Sequence, residues 1–219
     1  MEIGIIGSGQ IGGTLARRFA RVGHSVLIAN SRGPESLSHF DRLDGVRAVT
    51  IREAVRAADV VVMSIPVKRV CELPDDLFDD VGKAVVVVDT GNYYPKERDG
   101  RIGEIEDGMS ESRWTSRQIG RPVLKAFNTI PSDSLENGGR PDGAEGRIAI
   151  PVAGDDPAHK QKLFGLLDDL GFDGIDAGSL DESWRQQPGT PVYAANLDTS
   201  GARRALKAAV RERPDGLRA

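Results

Sequence analysis

Apolar residues along this chain fall into two rhythms. Unbroken apolar runs occupy Glu2 to Ile6, Ser25 to Ala29, Asp59 to Ile65 (DVVVMSI) and Lys83 to Asp89 (KAVVVVD). Runs without alternation suit strands buried on both faces, as in a parallel sheet covered by helices. Between the first two, Ile11, Leu15, Phe19 and Val22 recur at helical spacing, and Gly23 stands where a left-handed cap would end that helix. The first thirty residues therefore spell strand, glycine-rich turn, helix, strand, which is one βαβ unit.

The same reading predicts a short strand at Val46 to Thr50, a helical turn or two at Arg52 to Ala58, a helix around Ser110 to Ile119 and a strand at Pro122 to Ala126. Ser132 to Arg147 is dense in turn formers and reads as a loop. Two further strands, Ile148 to Val152 and Phe172 to Ile175, flank a helix from Pro157 to Leu170 that carries Leu163, Leu166, Leu167 and Leu170 at helical spacing. A terminal helix is expected over Ala202 to Arg211, stopped near Pro214. The fold class that follows is α/β: a Rossmann-type, doubly wound, mostly parallel sheet over residues 1–130, with residues 131–219 as a small C-terminal α/β annex packed on it at the substrate side.

Composition narrows the functional classes. The chain has 219 residues, 39% hydrophobic and 28% charged, with 29 basic against 33 acidic side chains. That balance is dispersed and offers no basic run to neutralise a nucleic-acid backbone, so no nucleic-acid partner is expected. Cys71 is the single cysteine, which leaves no intrachain disulfide and no thiolate zinc cage; it reads as a plain apolar position. His24, His39 and His159 are scattered, and no metal site is expected. Asp75, Asp76, Asp79 and Asp80 read as a solvated face or helix cap. The opening MEIGIIGSGQIGG reads as strand and turn rather than as a signal peptide, and no apolar stretch reaches a membrane-spanning length. A cytoplasmic protein acting on small molecules is the expectation.

The chemistry concentrates at Gly7-Ser8-Gly9-Gln10-Ile11-Gly12, a GxGxxG string. Its weight comes from its place, after the first strand and at the start of the first helix. Gly7 permits the tight turn, Gly9 lets backbone approach a pyrophosphate, and Gly12 allows close helix–strand packing. Free N–H groups at the helix start would face the anion. After the second strand, an NAD-preferring site places Asp or Glu on the ribose hydroxyls. Here the strand runs into Asn30-Ser31-Arg32-Gly33-Pro34, with no carboxylate before Glu35. Arg32 can pair bidentately with a 2′-phosphate and Ser31 can donate its hydroxyl, so NADP(H) is expected over NAD(H).

The string GIIGSGQIGGTLARRFARVGHSV together with ANSRGPESL resembles the bacterial and archaeal NADP-dependent reductases of the deazaflavin coenzyme F(420). Later blocks agree: VVMSIPV, KAFNTIP from Lys125 to Pro131, PVAGDDP and IDAGSLDES. The resemblance implies that the cofactor lies across the strand ends and that hydride passes directly between nicotinamide and a second coenzyme. Carried over by motif, Ser8, Gln10 and Ile11 would line the pyrophosphate turn, and Ser31 and Arg32 would hold the 2′-phosphate. Ser64, Ile65 and Pro66 would pass beside the ribose and pyrophosphate, and Asn92 and Asn128 would approach the nicotinamide. For Ser64 and Asn128, local backbone capping is an equal alternative. The chain departs from that family after the DAG block, where Glu182 to Pro191 (ESWRQQPGTP) carries two prolines and a glycine that break any helix.

Three functions are compatible with these residues. The first is hydride transfer between NADP(H) and a second bound acceptor, F(420) or a flavin-like ring. The second is NADPH-dependent reduction of a small carbonyl or imine, for which the sequence names no proton donor. The third is a non-catalytic NADP(H) redox sensor. Trp184 and Tyr193 either stack on a flat ring or seal the annex. No catalytic side chain is assigned. A homodimer could complete the pocket, as symmetric enzymes often do.

Overall fold

A computed structural model describes residues 1–212 and 214–219. Six strands, β1 (Glu2–Ile6), β2 (Ser25–Ala29), β3 (Val46–Ala48), β4 (Val60–Met63), β5 (Val86–Asp89) and β6 (Leu124–Lys125), form one sheet in the order β3-β2-β1-β4-β5-β6. Every pairing in it is parallel. The order reverses between β1 and β4, and a crevice at the strand carboxyl ends opens at such a reversal.

The helices are α1 (Gln10–Arg21), α2 (Ile51–Arg56), α3 (Gly103–Glu106), α4 (Glu111–Gln118), α5 (Ser132–Asn137), α6 (Pro157–Asp169) and α7 (Thr199–Ala208). Alternate strand residues serve opposite layers, which explains the unalternating valine runs. Ile3, Ile5, Val60, Val62, Val86 and Val88 pack with Leu15 and Phe19 of α1 and with Leu163, Leu166 and Leu167 of α6. Ile6, Val61, Met63 and Val87 pack on the other face with Val55, Phe78 and Trp114.

A second sheet holds β7 (Ala149–Val152) and β8 (Asp173–Asp176) in parallel. It joins the first through an antiparallel bridge in which Lys125 and Ala153 exchange backbone hydrogen bonds of 2.8 and 3.1 Å. Ile150, Val152, Leu170 and Phe172 belong to the same apolar cluster as β1, so the annex has no separate core on this side.

Four expectations change. Ser132 to Arg147 is not all loop, because α5 forms at its start. Leu135 is fully buried there, and Glu136 pairs with Arg17 and Arg21 of α1 at 2.8 Å each, so tertiary contacts override the turn-forming composition. The segment after the DAG block is helical too: Leu180–Gln186 is a 3-10 helix opened by a reciprocal Ser179–Glu182 capping box, and the helix breakers begin only at Pro188. The terminal helix runs from Thr199 to Ala208, earlier than expected, because the Asp198 side chain accepts the Gly201 N–H at 2.7 Å. Cys71 is exposed rather than apolar core. No helix among the described residues is long and apolar enough to cross a membrane.

Candidate functional site

The glycine turn sits at the strand-order reversal. Gly7 leaves β1 with φ +109°, and its N–H donates to Ala29 O of β2 at 2.8 Å. Across the switch, Ser64 N donates to Ile6 O at 2.8 Å. A Cβ on Gly7 would collide with the Ser64 carbonyl, and one on Gly12 would collide with the Gly7 carbonyl. Gly9 differs: a Cβ there would meet no protein atom within 4 Å. Gly9 is also the N-cap residue of α1, with extended backbone and no side-chain cap. The first amides of α1 therefore have no capping oxygen from Gly9 and face an open cradle, the electrostatic setting that suits a diphosphate. A groove of ≈ 420 Å³ opens beside it, lined among others by Ser8, Gly9, Gln10, Arg17 and His39. Ile11 is half-buried against the main apolar cluster. These residues fit a dinucleotide's pyrophosphate.

The loop after β2 is tied to this turn by Asn30. Its Oδ1 accepts the Arg32 N–H at 2.8 Å, and its Nδ2 donates to Ser36 Oγ at 3.0 Å and to Ser8 Oγ at 3.4 Å. Asn30 thus shapes the loop, while Ser31 and Arg32 are exposed at its tip. Among the described residues, no carboxylate takes the Arg32 guanidinium. Ser64, Ile65 and Pro66 continue β4 over the crevice, each half-buried.

Asn92 and Asn128 meet at the ends of β5 and β6. Asn92 Nδ2 donates to Asn128 O at 3.1 Å, and Asn128 Nδ2 donates to Asn92 Oδ1 at 3.1 Å and to Gln186 O at 2.6 Å. Gln186, fully buried, returns Nε2 to Asn128 Oδ1 at 3.0 Å and to Pro151 O at 3.2 Å. Asn128 is therefore a hub between distant segments rather than a local cap.

Beneath them lies a buried ionic group that the sequence reading missed. Lys125 is fully buried, with Nζ 3.5 Å from Asp89 Oδ2 and 3.8 Å from Glu111 Oε2. Asp89 also accepts Ser112 Oγ at 2.7 Å. A buried charge persists only when paired and hydrogen-bonded. Here the pairing grips one peptide from both sides: Asp89 Oδ1 accepts the Gly91 N–H at 2.8 Å, and Lys125 Nζ donates to the Gly91 carbonyl. That grip fixes where Asn92 leaves the sheet. The available signal was Lys125 standing inside an otherwise apolar strand.

Other candidates resolve into structure. Asp76 pairs with Arg52 at 2.6 Å and Asp80 with Arg56 at 3.4 Å on an exposed face. Although Cys71 is exposed, partial desolvation of its sulfur pushes the thiol pKa up, which disfavours a thiolate nucleophile. The Arg185 and Arg211 guanidinium groups lie 5.4 and 5.9 Å from the Trp184 ring centroid. Among the described residues, no group of three or more His, Cys, Asp or Glu side chains could hold a metal ion.

Comparison with known proteins agrees with this geometry. Residues 2–93 match the family described as NADP oxidoreductase coenzyme F(420)-dependent. The protein YjhV of Escherichia coli is 42% identical over 86 residues, 39% of this chain and 56% of that protein, so this chain spans little more than half of that relative. Protein SMa0349 from Sinorhizobium meliloti shares the fold with a TM-score of 0.74 and 32% identity, over 90% of this chain and 94% of that one. A protein from Arthrobacter sp. FB24, assigned by name to the F(420)-dependent NADP reductases, superposes with a TM-score of 0.65 at 23% identity, over 82% of this chain and 85% of that one, a likeness of fold.

Proposed function

We propose that this chain, whose residues 2–93 match the coenzyme F(420)-dependent NADP oxidoreductase family, transfers a hydride between NADP(H) and a second bound acceptor, the deazaflavin F(420) or a flavin-like ring. The observation that carries the reading is the open cradle over Gly9 at the start of α1, placed where the strand order reverses and beside the exposed Arg32. The amides after Gly9 hold the pyrophosphate, and Ser31 with Arg32 receives the 2′-phosphate. The bound dinucleotide supplies the hydride chemistry itself.

The chain's part is to bind, orient and dry the reacting rings. Asn92 and Asn128, fixed to each other and to Gln186, wall the nicotinamide half of the crevice. The grip of Asp89 and Lys125 on the Gly91 peptide holds that wall to the sheet. Precise placement of two flat rings is worth several powers of ten in rate.

A fluorescence titration with NADPH and NADH, followed by NADPH oxidation against F(420), flavin mononucleotide and a small cyclic imine, tests the proposal. Tight NADPH binding with turnover of F(420) or the flavin is expected. Turnover of the imine alone would move the acceptor to the small-substrate class. Tight binding without any turnover would make the protein a sensor and sink the enzyme reading.

A further inference from the structure

Two phenols meet near the segments that carry Asn92 and Asn128. Tyr94 Oη and Tyr193 Oη lie 2.5 Å apart, from residues 99 positions apart in the chain. Tyr94 follows Asn92 by two residues, and its N–H donates to Asp99 Oδ2 at 2.9 Å. Tyr193 precedes Ala194, whose N–H donates at 2.9 Å to the carbonyl of Thr129, the neighbour of Asn128. Tyr94 therefore follows the end of β5, and Tyr193, from the C-terminal segment, is tied to the end of β6 through its neighbour Ala194. Ala194 sits at φ +55°, a conformation that non-glycine residues adopt only when the surroundings impose it. Both tyrosines are half-buried, so the pair keeps access to solvent protons. A dinucleotide gripped at the β1–α1 turn of a doubly wound sheet extends its second half across the switch point, toward the ends of β5 and β6.

We propose that Tyr94 and Tyr193 form the proton-delivery pair for reduction of the acceptor. The inference rests on the NADP(H) reading and adds what that reading lacks. Hydride addition to C5 of a deazaflavin, or to N5 of a flavin, pushes an electron pair through the conjugated ring to N1, which takes a proton to give the neutral reduced ring. The hydride comes from reduced nicotinamide, which is oxidised to NADP⁺. The proton comes from one tyrosine hydroxyl, whose O–H bond breaks, and the second hydroxyl refills it from water. Charge and atoms then balance, with NADPH and one proton consumed per acceptor reduced.

The groups around the pair suit this role. The Arg98 guanidinium lies 5.3 Å from the Tyr94 ring centroid and donates to the Asn92 carbonyl. Asp99 is ion-paired to Arg98 at 3.0 Å and accepts the Lys68 N–H at 3.3 Å. Glu111, in contact with Lys125, adds negative charge from the α4 side. Burial, and then the hydrogen bond with Tyr193, push the Tyr94 hydroxyl pKa above the ordinary tyrosine range and weaken it as an acid, so release of its proton depends on the positive charge that the nicotinamide ring gains on oxidation.

The test replaces tyrosine throughout the intact protein with a fluorinated tyrosine of lower pKa, so that ionisation falls in an accessible range, and follows it by fluorine NMR. The chain has only three tyrosines, and Tyr94→Phe and Tyr193→Phe assign the signals. The oxidised nicotinamide ring carries a positive charge that the reduced ring lacks. Saturation with NADP⁺ should therefore lower the ionisation midpoint of the pair relative to saturation with NADPH, and the difference should vanish in either Phe variant. With F(420) as acceptor, both variants should lose about 10²–10⁴-fold in hydride-transfer rate while keeping NADPH affinity. Equal midpoints with both dinucleotides bound would overturn the proposal and leave the NADP(H) site standing. Binding of neither dinucleotide would overturn both. Wild-type rates in the two variants, with only a lowered Tm, would reduce the pair to a strap between annex and sheet.

Discussion

At the scale of single residues, the three glycines of the turn separate folding from binding. Gly12→Ala drives a methyl into the Gly7 carbonyl, so the helix must move off the strand, and a lowered Tm is expected. Gly9→Ala meets no protein atom, so its Tm should hold while NADPH affinity falls, because the methyl enters the space a pyrophosphate would fill. Paired thermal melts and binding titrations check both. Parallel losses of Tm and affinity in the two variants would mean that Gly9 is only structural. Arg32 is a second single-residue test. A charge-assisted hydrogen bond contributes about 1.5–3 kcal/mol, so Arg32→Ala should weaken NADPH by roughly tenfold or more and leave NADH nearly unchanged. Equal losses for both dinucleotides, in the same titration, would remove Arg32 from phosphate selection.

At the scale of elements, the sequence was legible where one local signal decides the structure. The valine runs reported strands buried on both faces, and the GxGxxG string reported the turn. The elements it misjudged are held from elsewhere. Helix α5 exists because Leu135 is buried against the body and Glu136 is tied to Arg17 and Arg21, residues more than a hundred positions away. The Leu180–Gln186 helix did announce itself, through the Ser179-x-x-Glu182 capping pattern, but the prolines downstream outweighed that signal. At the site, the Asn92–Asn128–Gln186 network and the Tyr94–Tyr193 pair were opaque, since partners 36 to 99 residues apart leave no mark in local spacing.

Two expectations follow for α5. Leu135→Ala should cost about 2–5 kcal/mol in unfolding free energy, measured by denaturant titration. Burial opposes ionisation of Glu136, but its hydrogen bonds and ion pairs with Arg17 and Arg21 prevail and hold its carboxyl pKa below the usual range. Its contribution is therefore present above the ordinary glutamate pKa and fades as pH falls through the depressed folded value. Stability measured down an acid series should decline less steeply in Glu136→Gln than in the parent. Identical slopes would contradict the pairing.

At the scale of the molecule, the annex and the Rossmann sheet share one apolar cluster that runs from Ile3 to Phe172. Residues 1–130 and 131–219 expressed separately should each lack a cooperative thermal transition, whereas the whole chain should melt in one step by calorimetry. A sharp transition in either fragment would divide the fold at that boundary. The arrangement brings Gln186 and Tyr193 of the annex into hydrogen-bond contact with Asn128 and Tyr94, which follow β6 and β5.

The proposed activity requires a dinucleotide lying across the amides that open α1. Backbone amide NMR of the intact chain, titrated with NADPH, reads that placement residue by residue. The largest shifts should fall at Gly7 to Gly12 and at Ser31 and Arg32, with a second set at Asn92 and Asn128. Shifts gathered instead around Trp184, or none at saturating NADPH, would contradict it.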